Sequence, residues 1–411
     1  ANPRDLLVSA VMNSPLIVVN EDDYLFEALY RMTRNGIHRV GVVDAAGALT
    51  GIITDSDILR LQSRSPQKLM RDIEEAHTVD TLKDLHRQVQ DLVVHLVGTG
   101  VATRDLVRTI AHLNDRILLR LIALLREERF PALRSKFAFV VLGSEGRREQ
   151  TLTTDQDNAI VYADELSSTE IQEIEAFSRE LIDNLIAIGV PPCPGGIMAK
   201  NAAWRRSLGG WREVLDRWMA TATPENILNG SMFFDLRTLH GDAGFERELK
   251  AHVSERLKRG EGFLAHTAAN VLRFKPPLSL LGRIKAEPRG EHAGMIDVKK
   301  AGIFAITEGV KVLALEADLF QGGTRERMKG LLEANVFEPK QFEALEASYN
   351  FLVYLRLRGQ VAALREGREP TNYISLDQLN RMEAGRLQLA LQEVGKFQDF
   401  LRMHFQLNYL G

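Results

Sequence analysis

Val141-Leu142-Gly143-Ser144-Glu145-Gly146-Arg147-Arg148-Glu149-Gln150 lies near the middle of the chain, with Asp155-Gln156-Asp157-Asn158-Ala159-Ile160-Val161-Tyr162 shortly after it. The apolar run Phe137 to Leu142 is short, rich in Phe and Val, and closed by Gly143, the spelling of a buried strand that stops at a tight turn. Ser144 then offers a hydroxyl and a backbone N–H beside a residue without a side chain, the equipment that lets a phosphate approach the main chain. Asp155 and Asp157 flank Gln156 and lead into a second apolar run, Ala159 to Tyr162. Residues two apart in a strand share a face. Two carboxylates on one face repel each other unless a cation lies between them, and hard oxygen ligands beside a phosphate suit magnesium. The alternative is a pair of solvated turn acids.

The compound pattern, hydrophobic-Gly143-Ser144-x-Gly146-Arg147-x-Glu149-Gln150 and then Asp155-x-Asp157 between two predicted strands, resembles the nucleotidyltransferase superfamily of polymerase-beta type. Its fuller form is similar to a narrower group, related to the uridylyltransferase of the nitrogen-regulatory PII protein and often fused to cystathionine-β-synthase-type (CBS) domains. The resemblance implies a mixed-sheet core in which Asp155 and Asp157 are catalytic and bind Mg2+, while Gly143 and Ser144 hold the phosphates of a nucleoside triphosphate. A hydroxyl of a regulatory protein would receive the nucleoside monophosphate. Arg147 and Arg148 would clamp the triphosphate, or Arg147 would pair with Glu149 or Asp157 as scaffold. The superfamily usually draws a third carboxylate from the next strand. The segment Pro192 to Asn201 occupies that place and contains no acid. Lys200 and Asn201 remain as ligand contacts, and Asp235 is the candidate replacement acid, a salt bridge to Arg237 or another base being the other reading. Gly294 to Gly302 resembles a Gly-rich, acid-containing segment of the related uridylyltransferases. That likeness makes Asp297, Lys299 and Lys300 candidates, the lysines reaching a triphosphate as point charges. A capped helix start with solvated lysines is the alternative.

A second resemblance lies near the start. Leu25, Ala28, Leu29 and Met32 recur at helical spacing after the apolar run Pro15 to Val19. Strands at Arg39 to Val43 and Leu49 to Thr54 follow, joined by an Asp44-Ala45-Ala46-Gly47 turn, and then a helix from Asp55 to about Gln62. Gly51-Ile52-Ile53-Thr54-Asp55-Ser56-Asp57-Ile58 is similar to the Gly-h-h-Thr-x-x-Asp signature of a CBS motif. The resemblance implies contacts from Thr54 and Asp57 to an adenosine nucleotide, against helix capping as the bland reading. Such motifs come in pairs, and no second copy is found in the sequence. Either a first motif precedes Ala1, in keeping with a start that is not Met, or two chains pair as a homodimer.

At 411 residues the chain is too long for one core, so about two to four domains are expected. The reading is an α/β plus α chain: a CBS module over 1–65, a helical linker hairpin over 66–132, the nucleotidyltransferase core over 133–260 and a helical domain over 261–411. In the hairpin, Leu85, Val89, Leu92 and Leu96, then Leu106, Ile110, Leu113 and Ile117, form apolar stripes, with Thr103 as a cap. Ser167-Ser168-Thr169-Glu170 spells a capping box. Trp204 to Trp218 and Glu225 to Leu239 read as further helices. The tryptophans stand at core rather than base-stacking spacing. A formal charge of -3 and pI of about 6.4 supply no basic field for nucleic acid or an anionic membrane. The single Cys193 excludes an internal disulfide and suggests a reducing cytoplasm. No apolar run reaches membrane-spanning length.

Overall fold

The computed structural model describes residues 7–10, 12, 14–54, 57, 65–97, 101–134, 136–260, 262–279 and 282–409. It divides into two compact units, residues 1–71 and 72–411.

The first unit is small. Strands β1 (Val18–Asn20), β2 (Arg39–Val43) and β3 (Leu49–Thr54) form one sheet in that order, β1 parallel and β3 antiparallel to β2, and helix α1 (Leu25–Asn35) follows β1. The β2–β3 turn is held by Asp44, whose Oδ1 accepts the N–H groups of Ala46 and Ala48, both at 2.9 Å. Val19, Ala28, Met32 and Val40 make the core between sheet and helix. Leu16 and Leu49 converge with Val18 over Gly41, yet Leu16, Leu49 and Ile52 stay 57–62% exposed among the described residues. The helix expected from Asp55 to Gln62 lies outside the described residues apart from Asp57.

Helix α2 (Pro66–Glu74) spans the boundary, and in the second unit helices α3 (Val79–Leu96) and α4 (Thr103–Glu128) precede a four-stranded mixed sheet. Thr78 caps α3, its hydroxyl accepting the Thr81 N–H at 3.1 Å. Thr103 is the first residue of α4 rather than its cap. Strands β4 (Phe137–Val141), β5 (Asn158–Tyr162), β6 (Arg205–Ser207) and β7 (Arg237–Gly241) lie in the order β6-β5-β4-β7, with β4 antiparallel to both neighbours and β5 parallel to β6. A helical turn, α5 (Gly143–Gly146), follows β4, and α6 (Ser168–Ile188) starts at the expected Ser167–Glu170 capping box.

Alternation sorts β4 between two layers. Phe137 packs on Phe177 of α6, while Ala138 and Val140 face the cluster built by α7 (Leu208–Ala220), α8 (Pro224–Phe233) and α9 (Gly244–Lys258). Trp204, Trp211 and Trp218 pack ring against ring at 5.8–6.3 Å in that cluster, and Trp211 Nε1 donates to the Ile160 carbonyl at 2.9 Å. Strands β6 and β7 correct the all-helical reading of Trp204–Trp218 and Glu225–Leu239. Each is short and polar, and its partner lies far away in sequence, so no local period announces it.

The remainder is helical: α10 (Phe263–Val271), α11 (Phe304–Glu316), α12 (Thr324–Glu333), α13 (Pro339–Arg365) and α14 (Arg381–His404) enclose a core to which Val93, Leu106, Val107 and Ile110 of the α3–α4 hairpin contribute. Strand β8 (Met295–Asp297) pairs antiparallel with β9 (Tyr373–Ser375) in it. A π-helical turn, Lys299–Ile303, runs from β8 towards α11. Such turns often mark functional positions. No helix among the described residues is long and apolar enough to cross a membrane.

Candidate active site

The central motif folds into a frame, and each of its polar residues has a traceable place. Gly143 has φ +51°. A side chain there would put Cβ 2.6 Å from Met232 Cε and 3.2 Å from Asp157 Oδ2, so only glycine lets the chain turn against that carboxylate. Gly146 is needed for a different reason, because a Cβ on it would collide with the carbonyl of Asp235. Arg147 donates from Nε to Glu149 Oε2 at 2.7 Å and also pairs with Asp235. Glu149 in turn accepts the backbone N–H of Thr324 at 2.5 Å and its hydroxyl at 3.0 Å, holding the start of α12 against the motif. Gln150 donates to Glu145 Oε1 at 2.9 Å.

Asp155 and Asp157 precede β5, and the chain alternates through them. Gln156 and Asn158 turn the other way, Gln156 Nε2 donating to the Val190 carbonyl at 3.3 Å and Asn158 Oδ1 accepting the Ala199 N–H at 2.8 Å. Both aspartates line a cavity of about 380 Å³ together with Gly143, Ser144, Lys299 and Arg356. Burial pushes the Asp157 carboxyl up to about 6, the Cys193 thiol hydrogen bond opposes that, the Asp155 charge adds to it, and Lys299 and Arg147 pull it back. The Lys299 ammonium is held below its ordinary range by burial and then by Arg356, against the attraction of Asp155 and Asp157. Burial also brings the Arg356 guanidinium down to about 10, and its Nε donates to Asn372 Oδ1 at 2.7 Å. An exposed Asp155 beside a buried Asp157 whose charge burial disfavours suits a cation. Among the described residues no group of three or more His, Cys, Asp or Glu side chains is placed to hold a metal ion. An ion here would take two protein carboxylates and complete its shell from phosphate and water, which is how magnesium is commonly held.

The other expected residues separate. Lys299 lines the cavity, but Lys300 does not: its backbone N–H donates to Asp297 Oδ1 at 3.0 Å and its ammonium stands 3.6 Å from Asp297 Oδ2, 69% exposed. Lys200 pairs with Asp183 at 3.0 Å away from the cavity lining. Asp235 is likewise outside that lining, enclosed by Lys311 at 2.7 Å, Arg327 at 2.5 Å and Arg147. It anchors bases from α11, α12 and the motif and does not line the cavity of Asp155 and Asp157. Arg147 joins that cluster and also lines the cavity. The acid-free segment meets the start of β5, where the Ile197 carbonyl accepts the Asn158 N–H at 3.1 Å. Its contribution toward the aspartates is the Cys193 thiol, pushed up to about 11 by burial and then by Asp157. In the first unit Thr54 and Asp57 bind each other, Oγ1 to Oδ2 at 2.7 Å and the Thr54 N–H to Oδ2 at 3.0 Å.

Arg356, Asn372 and Glu308 also line the cavity, and sequence reasoning missed all three. Each sits in ordinary helix or loop spelling far from the motif, and only the packing of the helical domain brings it there. A larger cavity of about 460 Å³, lined by Arg104, Arg108, Arg148 and Arg325, shares Arg147, Glu149, Tyr349 and Val353 with the first but contains neither aspartate.

The fold is a mixed-sheet core with a helical companion and a separate α/β module. Comparison with known families agrees: residues 87–225 match "Putative nucleotidyltransferase DUF294", residues 261–405 match "Putative nucleotidyltransferase substrate binding domain", and residues 8–64 match the CBS domain. The chain carries DUF294 nucleotidyltransferase-family domains together with a CBS domain. It is also 48% identical over 61 residues to a CBS domain-containing protein of Dictyostelium discoideum and 39% identical over 61 residues to an uncharacterized protein of Methanopyrus kandleri. Each match covers 15% of this chain and spans 41% and 31%, respectively, of the relative's length.

Proposed function

We propose that this chain is a magnesium-dependent nucleotidyltransferase that moves a nucleoside monophosphate from a nucleoside triphosphate to a hydroxyl of a regulatory protein, in the manner of the PII uridylyltransferase it resembles. The observation that carries this reading is the convergence of Asp155, Asp157, Gly143 and Ser144 with Lys299 and Arg356 on one cavity. Asp155 and Asp157 would hold the ion, which when bound stabilises charge on the attacking and leaving oxygens. Ser144 and the backbone after Gly143 hold the terminal phosphates, Lys299 supplies a point charge and Arg356 a planar fork. The acceptor hydroxyl oxygen attacks the α-phosphorus and its proton passes to solvent, while the bond to the bridging oxygen breaks and pyrophosphate leaves with its electrons. Thr54 and Asp57 would take an adenosine nucleotide in the CBS module, and a second copy of the chain would cover the apolar face at Leu16, Leu49 and Ile52. The lone cysteine fits a cytoplasmic setting.

The test is transfer of α-phosphate label from each nucleoside triphosphate to proteins of a cell extract, with and without magnesium. Transfer by the unmutated chain and none by Asp155→Asn supports the reading. A second reading, a nucleotide sensor without turnover, is favoured by Cys193 facing Asp157 where an acid is usual and by Asp235 being enclosed by bases. Magnesium-dependent binding without transfer to any acceptor supports that reading instead.

A further inference from the structure

The cavity of about 460 Å³ is walled by α4, the end of the motif turn, the start of α12 and a stretch of α13. Arg104, Arg108, Arg148 and Arg325 line it, and none of these four lines the aspartate cavity. Among the described residues of its lining, the acids are Glu149 and Glu326. Glu149 is already engaged by Arg147 and Thr324, and Glu326 by Arg108 at 2.7 Å. The other arginines lean on acids outside the lining: Arg104 on Asp105 at 3.3 Å, Arg148 on Asp115 at 3.8 Å, and Arg325 on Glu346. The four side chains are 32–62% exposed, and ion pairs so exposed contribute little and exchange readily. A guanidinium has five N–H donors, so one carboxylate leaves much of each fork for another oxyanion.

Each of these arginines stands where local rules disfavour it. Arg104 and Arg325 lie in the first turns of α4 and α12, at the end of a helix where the macrodipole opposes a cation. Arg104 and Arg108 are four apart on α4, a spacing at which like charges repel. Asp105 and Glu326 offset this only in part. Arg148 has φ +57°, a left-handed backbone that favours glycine, and its N–H donates to the Glu145 carbonyl at 3.1 Å. An anion in the cavity turns every one of these placements into a favourable contact. Forks from three separate elements can meet a tetrahedral phosphate from several sides, whereas a planar carboxylate is matched by one fork. The volume falls in the range of small-molecule pockets, about 300–1,000 Å³, and Val107, Tyr349 and Val353 add apolar lining beside the charged groups.

We infer that this cavity binds a phosphate-bearing small molecule of mononucleotide size, its phosphate held by Arg104, Arg108, Arg148 and Arg325 and its uncharged part set against Val107, Tyr349 and Val353. Binding needs no magnesium, because the guanidinium groups meet the charge directly. Arg148 thus serves this cavity rather than clamping a triphosphate over the aspartates. The site stands independently of the proposed transferase activity, since its four arginines lie outside the aspartate cavity.

The experiment is calorimetric titration of the full chain with inorganic pyrophosphate and with AMP, in a divalent-ion chelator at low ionic strength. It is repeated on a Lys299→Met/Arg356→Met chain, in which the aspartate cavity has lost two cations. Each probe should bind both chains, with affinities that agree within about threefold between them. Arg325→Gln should weaken binding about 10-fold or more, and so should Arg148→Gly, whose left-handed backbone suits the new residue. Citrate should bind at least about 10-fold more weakly than pyrophosphate. Binding that survives Arg148→Gly and Arg325→Gln, or that is lost in Lys299→Met/Arg356→Met, would overturn the inference by placing the anion in the aspartate cavity. Citrate binding as tightly as pyrophosphate would overturn the phosphate assignment. No binding of either probe at millimolar concentration would leave a solvated cleft, or, if an acidic peptide binds instead, a protein-docking surface, and either outcome would also overturn it.

Discussion

Asp235 Oδ2 lies 2.7 Å from Lys311 Nζ, with the two side chains 0% and 1% exposed. Burial opposes the charge on Asp235, but Lys311, Arg147 and Arg327 overcome it and hold the carboxyl well below the usual carboxylate range. Lys311 also reaches Glu308 at 2.9 Å and the Ser231 carbonyl at 2.8 Å. One buried acid thus fastens the motif to α11 and α12. Asp235→Ala should lower stability by about 3–5 kcal/mol, because it strands three bases. Adding Lys311→Met should recover part of the loss. The depressed value means that Asp235 stabilises the fold above its unfolded pKa, near 4, and that this contribution falls away in acid below it. Denaturant titrations between pH 3 and pH 7 check both points. An Asp235→Ala chain as stable as the parent would contradict them.

Asp157 has the opposite sign. Its folded value, about 6, lies above the unfolded value, so its contribution to stability is fully present below about pH 4 and is lost as pH rises through 6. With divalent ions chelated, Asp157→Asn should therefore gain stability over the parent above pH 6, by up to about 3 kcal/mol. The gain should vanish by about pH 4. Thermal unfolding of both chains across that range reads the difference, and a gain independent of pH would count against the burial and repulsion argument.

Lys299 and Lys300 are adjacent in sequence and differ in placement, so they should differ in effect. Losing a charge-assisted contact costs about 1.5–3 kcal/mol. Lys299→Met should accordingly weaken nucleoside triphosphate binding about 10- to 100-fold, and Arg356→Met should do so comparably. Lys300→Ala and Lys200→Ala should leave it within about threefold. Calorimetric titration separates the two pairs.

That contrast marks where sequence reading succeeds and where it stops. The Gly143-Ser144 turn and the facing of Asp155 and Asp157 are set by local geometry, a positive φ and a period of two, so they were legible. The partner of Arg147 was narrowed to scaffold pairs that included Glu149, but Asp235 lies 88 residues further on and joins it only when β7 pairs with β4. Nothing local could choose between Asp235 as a metal ligand and Asp235 as the centre of a base cluster, because Lys311 and Arg327 arrive on helices of another region. Arg356 is hidden for the same reason: in sequence it reads as one more charged helix residue.

The exposed apolar side chains of the first unit lead to an assembly prediction. Leu16, Leu49 and Ile52 should be buried between two copies of the chain. Ile52→Glu should shift sedimentation equilibrium from dimer toward monomer without unfolding the first unit. A parent chain that remains monomeric at high concentration would contradict this.

The most direct test of the account is magnesium-dependent binding of a non-hydrolysable nucleoside triphosphate, measured by calorimetry on the parent, Asp155→Asn and Asp157→Asn. The account expects binding by the parent that requires magnesium and is lost in both variants, with the folded state intact in each. Binding that is unchanged in both variants, or indifferent to magnesium in the parent, would contradict the assignment of the Asp155–Asp157 cavity as the nucleotide site.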